Sequence, residues 1–252
     1  MISGKDAFTW ALQNLDQRQK VITKIRKFDD IVSWCQKWPE DKDIIRSQVK
    51  NSRIAFLWAK EWPEDRYLMR DRVTESKWAW KWIQEWPEDK DIMLSRLTES
   101  EHLFEWAQKW PEERDQVRDK ITEPKFAYWW AFKWPEDKEI MRDRINESEW
   151  AYVWTLRWLE DKDIMRDRVT ESEWAYWWAR QWPEDRGIMR DRINESKWAY
   201  YWAENWPEDK DEMLQVIAQD PSWLVHWLRN RPQDKDNLDK DLLAKKLLEY
   251  IL

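Results

Sequence analysis

Residues 158–182 read Trp-Leu-Glu-Asp-Lys-Asp-Ile-Met-Arg-Asp-Arg-Val-Thr-Glu-Ser-Glu-Trp-Ala-Tyr-Trp-Trp-Ala-Arg-Gln-Trp, and Pro183-Glu184-Asp185 then restart the pattern. A proline just after tryptophan suits the first position of a helix, where its missing N–H leaves no bond unmade. Glu184 and Asp185 fall in the first turn, where carboxylates favour the positive end of the helix dipole. Ile188, Met189 and Ile193 recur at helical spacing and predict the buried stripe of that helix. Thr170-Glu171-Ser172-Glu173 has the spacing of a capping box and predicts the start of a second helix. That helix runs through Trp174-Ala175-Tyr176-Trp177-Trp178-Ala179 to Trp182. It stops there because the residue before proline avoids the helical region. One repeat is therefore two helices of roughly ten residues each.

The pattern covers the chain. Trp-Pro-Glu-Asp or a close variant begins at Trp38, Trp62, Trp86, Trp110, Trp134, Trp158, Trp182 and Trp206, 24 residues apart each time. Glu113 replaces the Asp once, and Leu159 replaces the Pro once. A second tryptophan keeps the same frame from Trp10 through Trp202 and returns one residue late at Trp227, after an insertion near Pro221. A fixed period of this length indicates stacked supersecondary units. Short helices are marginal alone, so stability must come from stacking. The expected fold is all-α: a right-handed α-solenoid of about ten stacked 24-residue hairpins in one domain, 1–252. Residues 1–37 are read as N-terminal capping units, 38–205 as regular repeats, and 206–252 as the last units with a capping helix. The ends differ from the middle. Asn14-Leu15 replaces the Trp-Pro corner, and Leu238, Leu242, Leu243, Leu247, Leu248, Ile251 and Leu252 form the apolar pattern of the C-terminal cap.

Composition agrees. The chain has 252 residues, 26 of them Trp and only 2 Gly, and Lys+Arg 44 against Asp+Glu 51 leaves a net charge of −7. So few glycines cannot supply the turns of a barrel, a dinucleotide-binding sheet or a phosphate loop. High aromatic content argues against disorder. A lone Cys35 excludes an intramolecular disulfide or a cysteine metal cluster. No apolar run nears the roughly 20 residues that span a bilayer. The opening Met1-Ile-Ser-Gly-Lys-Asp6 has no secretory apolar segment. A cytoplasmic protein without membrane association is expected.

The rhythm Asp161-Lys-Asp-Ile-Met … Trp174-Ala-Tyr-Trp-Trp-Ala179 resembles short two-helix repeats of an uncharacterised family in giant viruses and amoeba-associated bacteria. There a Leu-rich version of the pattern recurs; the Trp content here departs from it. The resemblance implies a helical repeat along the whole chain and transfers no functional residue.

At about 100° per residue, Trp174, Ala175, Trp178, Ala179 and Trp182 share one arc of the second helix, with Tyr176 at its edge. An aromatic stripe at this spacing is packing, so the recurrent tryptophans from Trp10 to Trp227 are expected to be buried. The opposite arc holds Glu173, Trp177, Arg180 and Gln181. Equivalents of Trp177 in the other repeats are Thr9, Ser33, Leu57, Lys81, Glu105, Trp129, Val153 and Tyr201. Four consecutive apolar residues in the second half form either a stripe buried by curvature or an exposed binding surface. The candidate partner-binding residues are thus Trp129, Val153, Trp177, Tyr201, Arg180 and Gln181, with Glu204 and Asn205 as further rim. On the first helix, Glu160, Asp163 and Asp167 face Lys162 and Arg166 across the axis, which predicts a salt-bridge ladder between repeats. Asp161 is placed to cap its own helix, and Arg168 to lie over a Trp face.

Catalysis is not expected. His102 and His226 lie in distant repeats, Cys35 has no nearby His, and the carboxylates recur in every repeat where a catalytic pair should occur once. No cofactor or metal is expected. The leading reading is a non-enzymatic scaffold for a protein or peptide partner. The alternatives are a nucleic-acid or glycan reader using exposed Trp and Tyr, and a self-assembling repeat protein joined end to end or through the stripe. The acidic net charge argues against nucleic acid.

Overall fold

The computed structural model describes residues 7–25 and 27–237, together with Lys246 and Leu248. Every regular element among the described residues is helical. The chain gathers into two bodies, Met1–Ile121 and Thr122–Leu252. Each is a series of stacked helical hairpins, the architecture of an α-solenoid. Of the leucines and isoleucine read as a C-terminal cap, Leu248 is described and exposed. Leu238, Leu242, Leu243, Leu247, Ile251 and Leu252 lie outside the described residues.

In the C-terminal body the second helices are Pro124–Lys133, Ser148–Arg157, Ser172–Gln181, Ser196–Asn205 and Pro221–Asn230, each 10 residues long. Three end at a tryptophan before proline, Ser148–Arg157 ends at Trp158 before Leu159, and Pro221–Asn230 ends at Arg231 before Pro232. Trp182 has φ −129° and ψ 85°, outside the helical region. The first helix is shorter than its sequence suggests. Pro183–Asp185 is a single 3₁₀ turn, and only Arg186–Arg190 is α-helical. Beyond its end, Arg192 reaches back to the preceding repeat. Its guanidinium donates to the carbonyl of Val169 at 2.5 Å and to that of Arg166, both in the preceding repeat. Arg168 does the same to Ile145, at 2.7 Å, and to Arg142. Arg168 therefore satisfies the last carbonyls of its neighbour's first helix and does not lie over a Trp face.

The capping box is also replaced by a contact between repeats. Glu171 precedes the second helix and makes no side-chain cap. The buried Ser148 hydroxyl instead accepts the N–H groups of Thr170 and Glu171 at 3.0 and 3.2 Å. Ser172 takes those of Asn194 and Glu195 in turn. Each serine serves the next repeat, so the orphan donors at a helix start are satisfied only in the stack.

Nine tryptophans, Trp34 to Trp202 at the 24-residue step and then Trp227, are fully buried. Trp10 is only half-buried, since no helix precedes its own among the described residues. Each ring from Trp34 to Trp202 lies against the corner Trp four residues on, as Trp178 does with Trp182 at 4.4 Å between centroids, and Trp227 has Arg231 over it instead at 4.3 Å. An aromatic two residues earlier reaches the next repeat. Tyr152 meets Trp174, Trp178 and Trp182 at 5.6, 6.5 and 5.7 Å. The repeat is thus knitted by an edge-rich aromatic lattice.

The indole N–H of each of these buried Trp but Trp106 donates to the Asp seven residues on. Trp154 donates to Asp161 and Trp178 to Asp185, both at 2.9 Å. Asp161 therefore does not cap its own helix; its carboxylate is buried and also holds Lys138 at 3.1 Å and Arg142 at 3.3 Å from the preceding repeat. Lys162 and Arg166 hold Asp185 in the same way, at 3.0 and 3.3 Å, and Lys162 also pairs with Glu184. The expected ladder exists, with its centre in the interior. Ile188 departs from the expected stripe: Met189 and Ile193 are buried, but Ile188 is exposed. One residue is about 100° of helix, so a helix this short turns Met189 inward and Ile188 away.

Glu113 tests the design from within. One methylene longer than Asp, it pairs with Lys90, and the buried Trp106 indole N–H is left without an acceptor. An unsatisfied buried donor costs about 1–3 kcal/mol. Glu113→Asp is expected to stabilise the protein by up to about that amount, measured as a rise in the denaturant midpoint.

Candidate partner-binding face

Trp129, Val153, Trp177 and Tyr201 sit on four consecutive second helices of the C-terminal body, and each of these helices packs on the next. Curvature does not bury them. Trp129 is 42% exposed, Trp177 37% and Tyr201 38%; Val153 is half-buried. In the N-terminal body the same position carries Ser33, Lys81 and Glu105, so an apolar residue there is not a requirement of the fold.

The exposed rings are propped from below. Trp129 leans on Tyr128 at 5.3 Å and on Phe132 at 5.9 Å. Trp177 contacts Tyr176 at 5.3 Å and Trp198 of the next repeat at 6.4 Å. Tyr201 lies 5.8 Å from Trp198 and 6.1 Å from Trp223. Trp177 and Tyr201 pack on the buried Trp198, whereas Trp129 leans on the half-buried Tyr128 and the exposed Phe132.

Arg180 lies over Trp177 at 5.3 Å and over Tyr176 at 5.8 Å. Gln181 is exposed beside it. Asn205 is committed internally, donating to the Tyr176 hydroxyl at 2.7 Å and to the Tyr201 carbonyl at 2.9 Å. Glu204 pairs with Arg231. The rim thus divides into free polar groups at Arg180 and Gln181 and engaged ones at Glu204 and Asn205.

Two parts of this face escaped the sequence reading. Phe132 and Leu156 are exposed one helical turn beyond Trp129 and Val153. Arg157 lies over Phe132 at 4.6 Å. Their signal was the column Phe132, Leu156, Arg180 and Glu204, which turns apolar where the Trp177 column does. The second part is an open cleft of ≈ 460 Å³ lined by Tyr200, Tyr201, Ser222, Trp223 and His226. The one-residue insertion near Pro221 put His226 out of frame with Tyr201. Among the described residues no carboxylate lies within ion-pair distance of Arg157 or Arg180, whereas Lys138, Arg142, Lys162 and Arg166 of the first helices each hold at least one. Guanidinium groups lying on rings are open to an incoming anionic group.

The remaining reactive groups are occupied by packing. Cys35 is buried. Burial, resisted by Lys42 and reinforced by Asp41 and Asp65, pushes its thiol up to about 11, so it is not a thiolate at neutral pH. His102 is buried with its Nδ1 3.0 Å from the Ser76 hydroxyl and its ring against Trp80. His226 belongs to the aromatic cleft. Among the described residues no three His, Cys, Asp or Glu side chains are grouped to hold a metal ion. None of the described helices is long and apolar enough to cross a membrane.

Comparison of the chain with protein-family models, with curated proteins and with solved structures finds no match. The resemblance to giant-virus and amoeba-associated bacterial repeats gains no support from them. The helical repeat itself stands on the structure.

Proposed function

We propose that the protein is a non-enzymatic repeat scaffold that binds a protein or peptide partner along the aromatic face of its C-terminal body. One observation carries this reading: exposed aromatic rings occupy three of four consecutive repeats, with Val153 in the fourth, at a position that is mostly polar elsewhere in the same fold. Propped aromatics with arginine beside them have the character of interface anchors. Extended or proline-containing peptides suit a surface of this kind, because backbone already extended loses little entropy on docking. A cytoplasmic location belongs to the same proposal and is checked by cell fractionation.

Trp177→Ser tests it. The side chain touches Tyr176 and Trp198 but supports no buried polar group, so unfolding free energy is expected to change by less than about 1 kcal/mol. Affinity for a partner is expected to fall tenfold or more, and Trp129→Ser should act in the same direction. A full-affinity Trp177→Ser, Trp129→Ser double variant rules the face out. The arginine–ring pairs favour a second reading, a reader of single-stranded nucleic acid. Strong binding to such strands that weakens steeply with salt would select it. Growth in light scattering with concentration would select self-assembly.

A further inference from the structure

The last turns of the second helices treat their cations differently in the two bodies. In the N-terminal body Lys60, on Ser52–Glu61, lies over the Phe56 ring at 5.8 Å. It also pairs at 2.9 Å with Glu85, the last residue of the next second helix. In the C-terminal body the same three places of the repeat are held by Arg180, Tyr176 and Asn205. The ring contact is kept, with Arg180 over Tyr176 at 5.8 Å. The ion pair is not. Asn205 is uncharged and donates to the Tyr176 hydroxyl and the Tyr201 carbonyl instead. Arg157 stands at the place of Glu85 itself. Phe132 is opposite it at the place of Lys60, and Arg157 lies over that ring at 4.6 Å.

Two cations without counter-ions are notable in a chain of net charge −7. The first-helix cations of this body are spent on Asp161 and Asp185. No carboxylate occupies the last turn of Pro124–Lys133, Ser148–Arg157 or Ser172–Gln181. Glu149 and Glu173 stand about two turns earlier. Glu204, on the following helix, is paired with Arg231. A guanidinium can stack on a ring and still offer its fork of N–H donors to a carboxylate. The helices that carry the two arginines also present Leu156 and Trp177, both exposed.

Spacing narrows the partner further. Ser148–Arg157 packs on Ser172–Gln181, and packed helices stand about 8–10 Å apart. A polyproline II chain turns once every three residues and rises about 9 Å in doing so. Its every third side chain therefore points the same way and meets one helix of the stack.

We infer that the partner segment bound on the aromatic face is acidic: an extended polyproline II stretch with a carboxylate at every third residue and apolar residues between. Arg157 and Arg180 take the carboxylates, and the exposed rings and Leu156 take the apolar residues. This rests on the aromatic-face reading and adds the charge and conformation of the partner to it. The charge is the one that the net charge of the protein repels, so selection of an acidic peptide reports a local site.

The test uses the full chain and two fluorescein-labelled peptides, repeats of Glu-Pro-Leu and of Gln-Pro-Leu, followed by fluorescence anisotropy. The Glu peptide is expected to bind at least tenfold more tightly, by a margin that shrinks with added salt. The Arg157→Gln, Arg180→Gln double variant is expected to abolish that preference with an unchanged thermal midpoint, because neither side chain holds a carboxylate among the described residues. Asn205→Glu, which gives Arg180 the counter-ion that Lys60 has, is expected to weaken the Glu peptide severalfold and to leave the Gln peptide within twofold. The Trp129→Ser, Trp177→Ser double variant is expected to weaken both peptides alike; undiminished binding of both in that variant is the failure of the aromatic-face reading. Equal binding of the two peptides by the wild type, or a preference retained in the arginine double variant, overturns this inference and leaves that reading standing. Absence of binding by the Glu peptide also overturns it. Oligothymidylate that binds more tightly than the Glu peptide, and loses that affinity in the arginine double variant, overturns it in favour of single-stranded nucleic acid.

Discussion

Trp178→Ala is expected to lower the unfolding free energy by about 3–5 kcal/mol, the cost of emptying a large buried aromatic site. The ring is fully buried, stacked against Trp182 within its repeat and touched by Tyr152 from the repeat before. Backbone on both sides is held by the serine and arginine contacts between repeats, so collapse around the cavity is restricted. The substitution also leaves the buried Asp185 without the indole donor at 2.9 Å. Trp178→Phe separates the two effects. It keeps most of the apolar volume and removes the N–H, so the loss should be nearer the about 1.5–3 kcal/mol of a hydrogen bond to a charged group. Chemical denaturation followed by far-ultraviolet circular dichroism gives both values. A loss below 1 kcal/mol for Trp178→Ala would contradict the assignment of this column as core.

Asp161→Ala should be the most costly change among the charged residues. Removing one partner of a buried ion pair costs about 3–5 kcal/mol. The lower end applies here, because Lys138 and Arg142 keep access to water while Trp154 does not. Asp161→Asn retains an acceptor for the Trp154 indole and removes only the charge, so it should cost less. The same residues set the response to acid. Burial raises the Asp161 pKa, but hydrogen bonds from Trp154, Lys138 and Arg142 outweigh it and hold the carboxyl below its usual value. Asp65 and Asp185 are lowered for the same reason by their own Trp and cations. A carboxyl lowered in the folded state contributes stability that is complete above the ordinary value of about 3.9 and is lost as pH falls through the lowered one. Stability is therefore expected to be flat from neutral pH down to about 5 and to fall steeply below about 4. Asp161→Asn should make that acid limb shallower. Denaturant midpoints between pH 2 and 7 check this, and an unchanged acid limb in Asp161→Asn would show that the carboxyl is not held low.

The Trp-Pro corners and the tryptophan frame made the helical repeat legible, because these are local signals. Pro183 can begin a helix and cannot continue one, whatever surrounds it. The burial of Trp178 followed from helical phase with Ala175 and Ala179. Helical phase also put Trp177 opposite the core, but phase alone does not say how closely the next helix approaches. That distance left Trp129, Trp177 and Tyr201 exposed. Phe132 and Leu156 stand in a column that returns to Arg180 and Glu204, so no apolar run along the repeats marks them as it does Trp129 to Tyr201.

The sequence by itself determined the all-helical class, the 24-residue period, the corners and, from Trp34 on, the core tryptophans of the recurrent column. All of these rest on short-range backbone preferences and on a hydrophobic period read within one repeat. Only the tertiary structure decided the partners of the polar groups. Ser172 reads locally as an inner residue of the capping box Thr170 to Glu173, Arg168 as a ring contact, and Asp161 as a cap for its own helix. Each is used by a neighbouring repeat or by the interior instead. The physical reason is that helices this short leave most of their terminal N–H and C=O groups unsatisfied, and stacking supplies partners that no single repeat contains. Ile188 follows the same logic in reverse. Its spacing is that of a core residue, and only the packing of Met189 shows that the core is already full and the isoleucine is left facing solvent.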